Sequence, residues 1–182
     1  MLNVITTPVG IDIPVKKFQE KLHRDLIALW EIDTATYECY GRCYRNRKDQ
    51  GYVAEVYTGS NEYKDVLWND NLNAISFFGL RNAIKNDISQ KAEVHLVFFV
   101  NLANLKPSLP NRADEEVRLD VLNVVQKFNF GFAYTDLELG IENVLREYPG
   151  SYRDTRLKNI DMHPIHCFRL NFQLTYNKNN CY

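Results

Sequence analysis

Four cysteines and four histidines carry most of the reactive chemistry in this 182-residue chain. Cys39 and Cys43 stand four apart, and His163 and His166 stand three apart with Cys167 directly after. Zinc takes Cys and His in a tetrahedral set, so this spacing raises a metal site. Both groups fall in stretches that read as strands, however. Residues four apart on a strand point the same way but sit about 13 Å apart. Cys39 and Cys43 would then not share one ion, and His166 and Cys167 would point to opposite faces. No metal and no cofactor is expected. A cysteine nucleophile needs a histidine base within hydrogen-bond reach, and no family-type signature surrounds any of the four cysteines. Glu115 and Glu116 open a helix, and Asp70 and Asp87 sit in loops, which suits solvated acids better than an acid–base pair. There is no phosphate-binding glycine loop. An enzyme built on this chain would have to draw on His95, His163, His166 or Cys167.

Two other groups of side chains suit contacts rather than reactions. The hairpin at 40–48 sets Arg42, Arg45, Arg47 and Lys48 among tyrosines. Basic residues beside aromatics can hold nucleic acid through phosphates and stacking. The net charge of -1 argues against a chain held to nucleic acid mainly by a positive field, so such a contact would be local. The closing strand alternates His166, Phe168, Leu170, Phe172, Leu174 and Tyr176 with Cys167, Arg169, Asn171, Gln173 and Thr175. Arg169, Asn171, Gln173 and Thr175 should therefore face outward, either to solvent or to another subunit. The stretch 151–164, with Tyr152, Arg153 and Arg156, reads as an extended loop or an arm that reaches a neighbour.

The elements that must position these groups follow from periodicity. After an extended N-terminus, Asp12-Ile13-Pro14 starts a helix. Val15, Phe18, Leu22, Leu26 and Leu29 give it an apolar stripe ending near Trp30. Residues 36–46 and 52–57 read as a hairpin with a basic tip. Residues 59–72 read as loop, 73–80 as strand and 81–91 as a short helix with Ile84 and Ile88 inward. Glu93–Asn101 has a continuous apolar run and is predicted to be a central strand. A second helix is predicted over 113–128, with an acidic first turn. Residues 129–134 suit a short strand. Thr135 and Glu138 form a capping-box pattern that predicts a third helix through Tyr148.

These elements sum to an α+β fold: a mostly antiparallel sheet with about three helices packed on one face. The whole chain, 1–182, reads as one domain with an extended N-terminus, the arm near 151–164 and a loose C-terminal tail. A composition of 45% hydrophobic residues is that of an ordinary globular core, and four cysteines are too few for a disulfide framework. The N-terminus lacks a signal-peptide pattern, and the longest apolar run is far short of a membrane span. A cytosolic site of synthesis and no membrane partner are expected.

Taken together, YGRCYRNRKDQGYVAEVY, EYKDVLWNDNLNAISFFG, VHLVFFVNL and the closing HPIHCFRLNFQLTY resemble small structural proteins of tailed bacteriophages. These are phages and prophages of Bacteroidetes hosts, including crAss-like phages. The element order over roughly 12–176 is similar to that of head-completion, connector and tail-terminator proteins. The resemblance implies a non-enzymatic virion protein at the portal–tail junction or tail end. It implies a cyclic oligomer of six or twelve copies around a channel for the genome, with portal, connector or tail proteins as neighbours. Arg42, Arg45, Arg47 and Lys48 would meet the channel or an adjoining ring. Tyr152, Arg153 and Arg156 would form the arm, and Arg169, Asn171 and Gln173 an interface strand. The resemblance brings no catalytic residue. The competing classes are a small cytosolic enzyme with a His/Cys site and a phage-encoded protein that binds a host partner.

Overall fold

Helix α1 (Asp12–Trp30) forms where the apolar stripe predicted it. It buries Val15, Phe18, Leu22, Leu26 and Trp30 and stops at Glu31, whose left-handed φ of 52° lets its N–H close on the Ile27 carbonyl. The computed structural model describes residues 1–49, 51–85, 89–109, 111–153 and 161–177.

The helix lies on a six-stranded sheet. Its strands are β1 (Leu2–Asn3), β2 (Tyr37–Arg42), β6 (Ala74–Lys85), β7 (Ser89–Asn101), β8 (Phe132–Leu139) and β9 (Ile165–Asn177). Their order is β1-β2-β6-β7-β9-β8, parallel among the first three and antiparallel from β6 onward. The apolar β7 is central, as its continuous hydrophobic run requires. A second sheet, β3 (Tyr44–Lys48), β4 (Gly51–Gly59) and β5 (Glu62–Asp65), is antiparallel throughout.

Alternation along the central strands makes two cores. On the first face Phe78, Leu96, Phe98, Phe168, Leu170 and Phe172 pack beneath α1. The short α2 (Leu102–Leu105) and α3 (Asp114–Val125) complete that layer. Phe18 is its centre, with ring centroids 4.7 Å from Phe132, 5.1 Å from Phe78 and 5.9 Å from Phe172. Truncating such a ring costs about 3–5 kcal/mol. Trp30 donates its indole N–H to Asp120 on α3 at 3.0 Å, and Lys106 pairs with the same carboxylate at 2.7 Å. On the second face Ile75, Phe77, Val97, Phe99 and Cys167 are covered by Ala54 and Val56 of β4. Val144, Leu145 and Tyr148, from the region of α4 (Ile141–Val144) and α5 (Pro149–Arg153), close the rest.

The α+β architecture and mostly antiparallel sheets match the sequence reading, but the helices number five among the described residues and divide between the faces, α1 to α3 over the first core and α4 and α5 over the second. Several local readings do not. The hairpin expected over 36–57 is divided: Tyr37–Arg42 joins the main sheet, and only Tyr44–Lys48 pairs with β4. The loop at 59–72 contains β5. The short helix expected at 81–91 is strand at 81–85 and again from Ser89, while Ile88 lies outside the described residues. The helix expected from Thr135 is instead β8, followed by the single turn of α4. Pairing with β9 satisfies one side of the Phe132–Leu139 backbone, with an irregularity between Tyr134 and Asp136, and the aromatic and β-branched residues of Phe132-Ala133-Tyr134-Thr135 favour it. Gly140, at φ 83°, then turns the chain and confines helix to Ile141–Val144.

Candidate functional site

Towards the β8 margin, the second face of the main sheet turns from apolar to polar. In register across the strands, Gly79 faces His95, His95 faces Asn171, and Asn171 faces Asp136. Two residues further along β9 is Arg169, opposite Glu138. Alternation on four strands thus collects one polar patch.

Arg169 organises it. The side chain is fully buried. Its guanidinium donates through both terminal nitrogens to Glu147, through Nε to Asn171 Oδ1 at 2.8 Å, and through Nη1 to the Val144 carbonyl at 3.4 Å. Asn171 passes the network on by donating Nδ2 to Glu138 Oε1 at 3.0 Å, and Arg146 pairs with that carboxylate at 2.9 Å. Burial pushes Glu147 up, but the hydrogen bond and charge of Arg169 outweigh it and leave the carboxyl below its ordinary range. This corrects the expectation that Arg169 faces outward. The chain after β8 folds back over β9, and Glu147 reaches down to neutralise the arginine. Asn171 is half-buried in the same network, and only Gln173 and Thr175 are exposed as predicted.

His95 sits beside this network. It is fully buried, and neither ring nitrogen has a hydrogen-bond partner among the described residues. A Cβ on Gly79 would stand 2.0 Å from its Nε2 and 2.5 Å from the Tyr148 hydroxyl. Only glycine leaves room for both. The Tyr148 hydroxyl accepts a hydrogen bond from Cys43 Sγ at 2.9 Å. Burial first, and then the positive charge of Arg169, push the imidazole down to about 3. It is therefore neutral near pH 7 and a weak proton acceptor there. Above it lies a cleft of about 140 Å³ lined by Arg81, Glu93, His95, Asp136, Glu138 and Asn171. Ligand pockets usually begin near 300 Å³, so this space suits a few water molecules.

The remaining sequence-predicted residues are scattered. The register shift between Cys39 and Arg42 breaks the alternation, so Cys39 enters the first core and Cys43 the second. Burial pushes both thiols up to about 12, and raises Cys167 further. Such thiols stay protonated, the wrong state for a nucleophile. His166 stacks on Phe168 on the first face, 3.2 Å from Asp161 and 3.2 Å from Arg112. Cys167 points into the opposite core, and His163 lines a separate cleft with Leu102 and Arg112. The four His and Cys residues expected of an enzyme are not brought together. Among the described residues, no three His, Cys, Asp or Glu side chains are placed to hold a metal.

The basic hairpin also divides. Arg42 is half-buried and forms a fork with Asp12, Nε to Oδ1 at 2.8 Å and Nη2 to Oδ2 at 3.0 Å, which ties the start of α1 to the end of β2. It is a clamp, not part of a tip. Arg45, Arg47 and Lys48 are exposed on β3: Arg45 lies over the Tyr52 ring at 4.1 Å, and Lys48 pairs with Asp65. Tyr152 and Arg153 fall in the backbone of α5. Arg156 and the rest of the predicted arm through 160 lie outside the described residues, as does the tail from 178.

Sequence reasoning overlooked the Gly79–His95–Tyr148 contact and Glu147. A signal existed in Gly79 inside a strand run and His95 inside an apolar one, two local anomalies that prove to be cross-strand partners. The chain matches no protein-family model and no curated protein. No described helix is long and apolar enough to cross a membrane.

Proposed function

We propose that the protein is a non-enzymatic virion structural protein, one subunit of a cyclic ring in the head–tail connector or tail terminator of a tailed phage. The observation that carries this reading is a pair of unlike open strand edges. β8 forms one end of the main sheet and β3 one end of the small sheet. Identical subunits can close a ring only through two different, complementary surfaces on each copy. Exposed edges with free N–H and C=O groups are natural places for such joining. The resemblance of the element order to connector and tail-terminator proteins supports the same reading. A net charge of -1 suits a subunit that surrounds DNA and lets it pass. The buried Arg169 network fits as scaffold, holding β8, β9 and the α4–α5 segment in fixed relation.

Native mass spectrometry and electron microscopy of the purified chain test this. One closed multimer with a central opening is the expected result. A chain that stays monomeric at its highest attainable concentration, and is absent from purified virions, would overturn the reading. A portal or major capsid gene within a few reading frames of this one is expected.

A further inference from the structure

The charges on the two open edges carry an inference about how copies meet, which rests on the ring reading above. Strand β8 presents Asp136 and Glu138 and no basic residue. Strand β3 presents Arg45, Arg47 and Lys48 and no acidic residue. Among the described residues, neither strand makes a backbone hydrogen bond beyond its one ladder partner. Of the other two end strands, β5 reads Glu62-Tyr63-Lys64-Asp65 and is mixed in sign, and β1 is only Leu2–Asn3 with no charged side chain.

We propose that β8 of one subunit adds as a strand to the β3 edge of a second copy, with Asp136 set against the basic row of Arg45 and Arg47. Like charges opposite one another destabilise a strand pair, and unlike charges stabilise it. A two-fold pairing of β8 with β8 would set acids against acids. Pairing β3 with β3 would set three cations against three. Both symmetric dimers are thus disfavoured, and only the unlike pairing is attractive. An unlike pairing is heterologous: each subunit offers β8 to one neighbour and β3 to the other, and the series closes as a ring when the rotation allows. Arg47 and Asp136 are exposed and form no salt bridge among the described residues, so their charges are available to a partner. Lys48 is paired to Asp65 and Glu138 to Arg146 within the subunit, and both contribute less.

The test uses two exposed charge reversals, Arg47→Glu and Asp136→Arg, in the full chain. Each alone sets like charges together at every interface and should weaken association about tenfold per interface. An equimolar mixture of the two variants should assemble again. The native β8 of Arg47→Glu meets the native β3 of Asp136→Arg, and the reversed β8 meets the reversed β3. Rings from the mixture should hold an even number of subunits with the variants alternating. Sedimentation velocity and native mass spectrometry read both results, and circular dichroism checks that each variant is folded. Assembly of the wild type that neither reversal weakens would overturn the pairing and leave the ring reading standing. Weakened variants that fail to rescue one another would do the same. A wild type that never associates, or stops at a two-fold dimer, would overturn both.

Discussion

His95 should make the protein lose stability on mild acidification, by an amount its burial sets. In the unfolded chain an imidazole titrates near 6.5, and in the folded protein burial and Arg169 bring this one down to about 3. Between those values only the unfolded state takes up the proton. Stability is therefore complete above about pH 6.5 and falls as pH drops toward 3. Each pH unit in that window is worth about 1.4 kcal/mol, so the loss by pH 5 is about 2 kcal/mol. In a domain of this size that corresponds to about 4–8 °C in melting temperature. Urea unfolding at pH 7 and pH 5, for wild type and His95→Gln, measures it. The glutamine cannot titrate, so the variant should lose about 2 kcal/mol less between the two pH values. His23 and His166, whose pKa values burial also lowers, titrate in both proteins and cancel in the comparison. Equal losses would refute the reasoning, because His95 would then be taking up its proton in the folded state through water in the cleft above it.

Arg169→Met should cost about 3–5 kcal/mol in urea unfolding, since it leaves Glu147 and Glu138 without their buried cation, and adding Glu147→Met should recover much of the loss. Gly79→Ala should cost about 1–3 kcal/mol, because the new methyl group falls within 2.0 Å of His95, and pairing it with Tyr148→Phe should not restore wild-type stability while the imidazole still occupies the space. Cys39, Cys43 and Cys167 are buried with raised thiol pKa values, so an aromatic disulfide reagent should modify at most one of the four thiols in the native protein and all four after denaturation.

The parts of the fold legible in the sequence were those where one periodicity ran without competition. The stripe from Val15 to Leu26 could only be a helix face, and the alternation from His166 to Tyr176 could only be a strand. The β8 region reads as helix because local and long-range preferences conflict there. Thr135 and Glu138 satisfy a capping pattern, yet the ladder to β9 pairs residues on both sides of Thr135, from Phe132 to Tyr134 and from Asp136 to Leu139. The same conflict hid the polar patch. Arg169 alternates with apolar residues as a surface residue would, and nothing near it in sequence reveals that Glu147 will fold over it from 22 residues away. Cys39 and Cys43 show the complementary case: alternation alone puts both on one face, but the irregularity between Cys39 and Arg42 sends Cys43 to the opposite face. The basic row is legible, since Arg45, Arg47 and Lys48 lie within four consecutive residues, whereas Asp136 and Glu138 fall in the segment that reads as a helix. What the sequence concealed was that the chain leaves the main sheet just before them and makes β3 an edge.

The buried network and the open edge are mechanically linked. Strand β8 is held on one side only. Besides the ladder to β9, its anchors are Phe132 and Leu137 against the first core and Glu138 against Asn171 and Arg146. A docking strand must be ordered before it binds, because any ordering deferred to association is subtracted from affinity. Asn171→Leu keeps the branched shape of the side chain but removes the link to Glu138 and the acceptor of Arg169 Nε, while changing no charge on either edge. It should raise amide hydrogen exchange in residues 132–139 more than in β6 or β7, and weaken association without altering its salt dependence. Arg47→Glu should do the reverse, leaving β8 exchange unchanged and altering the salt dependence. If Asn171→Leu loosened β8 and association were unaffected, β8 could not be the strand that joins one subunit to the next.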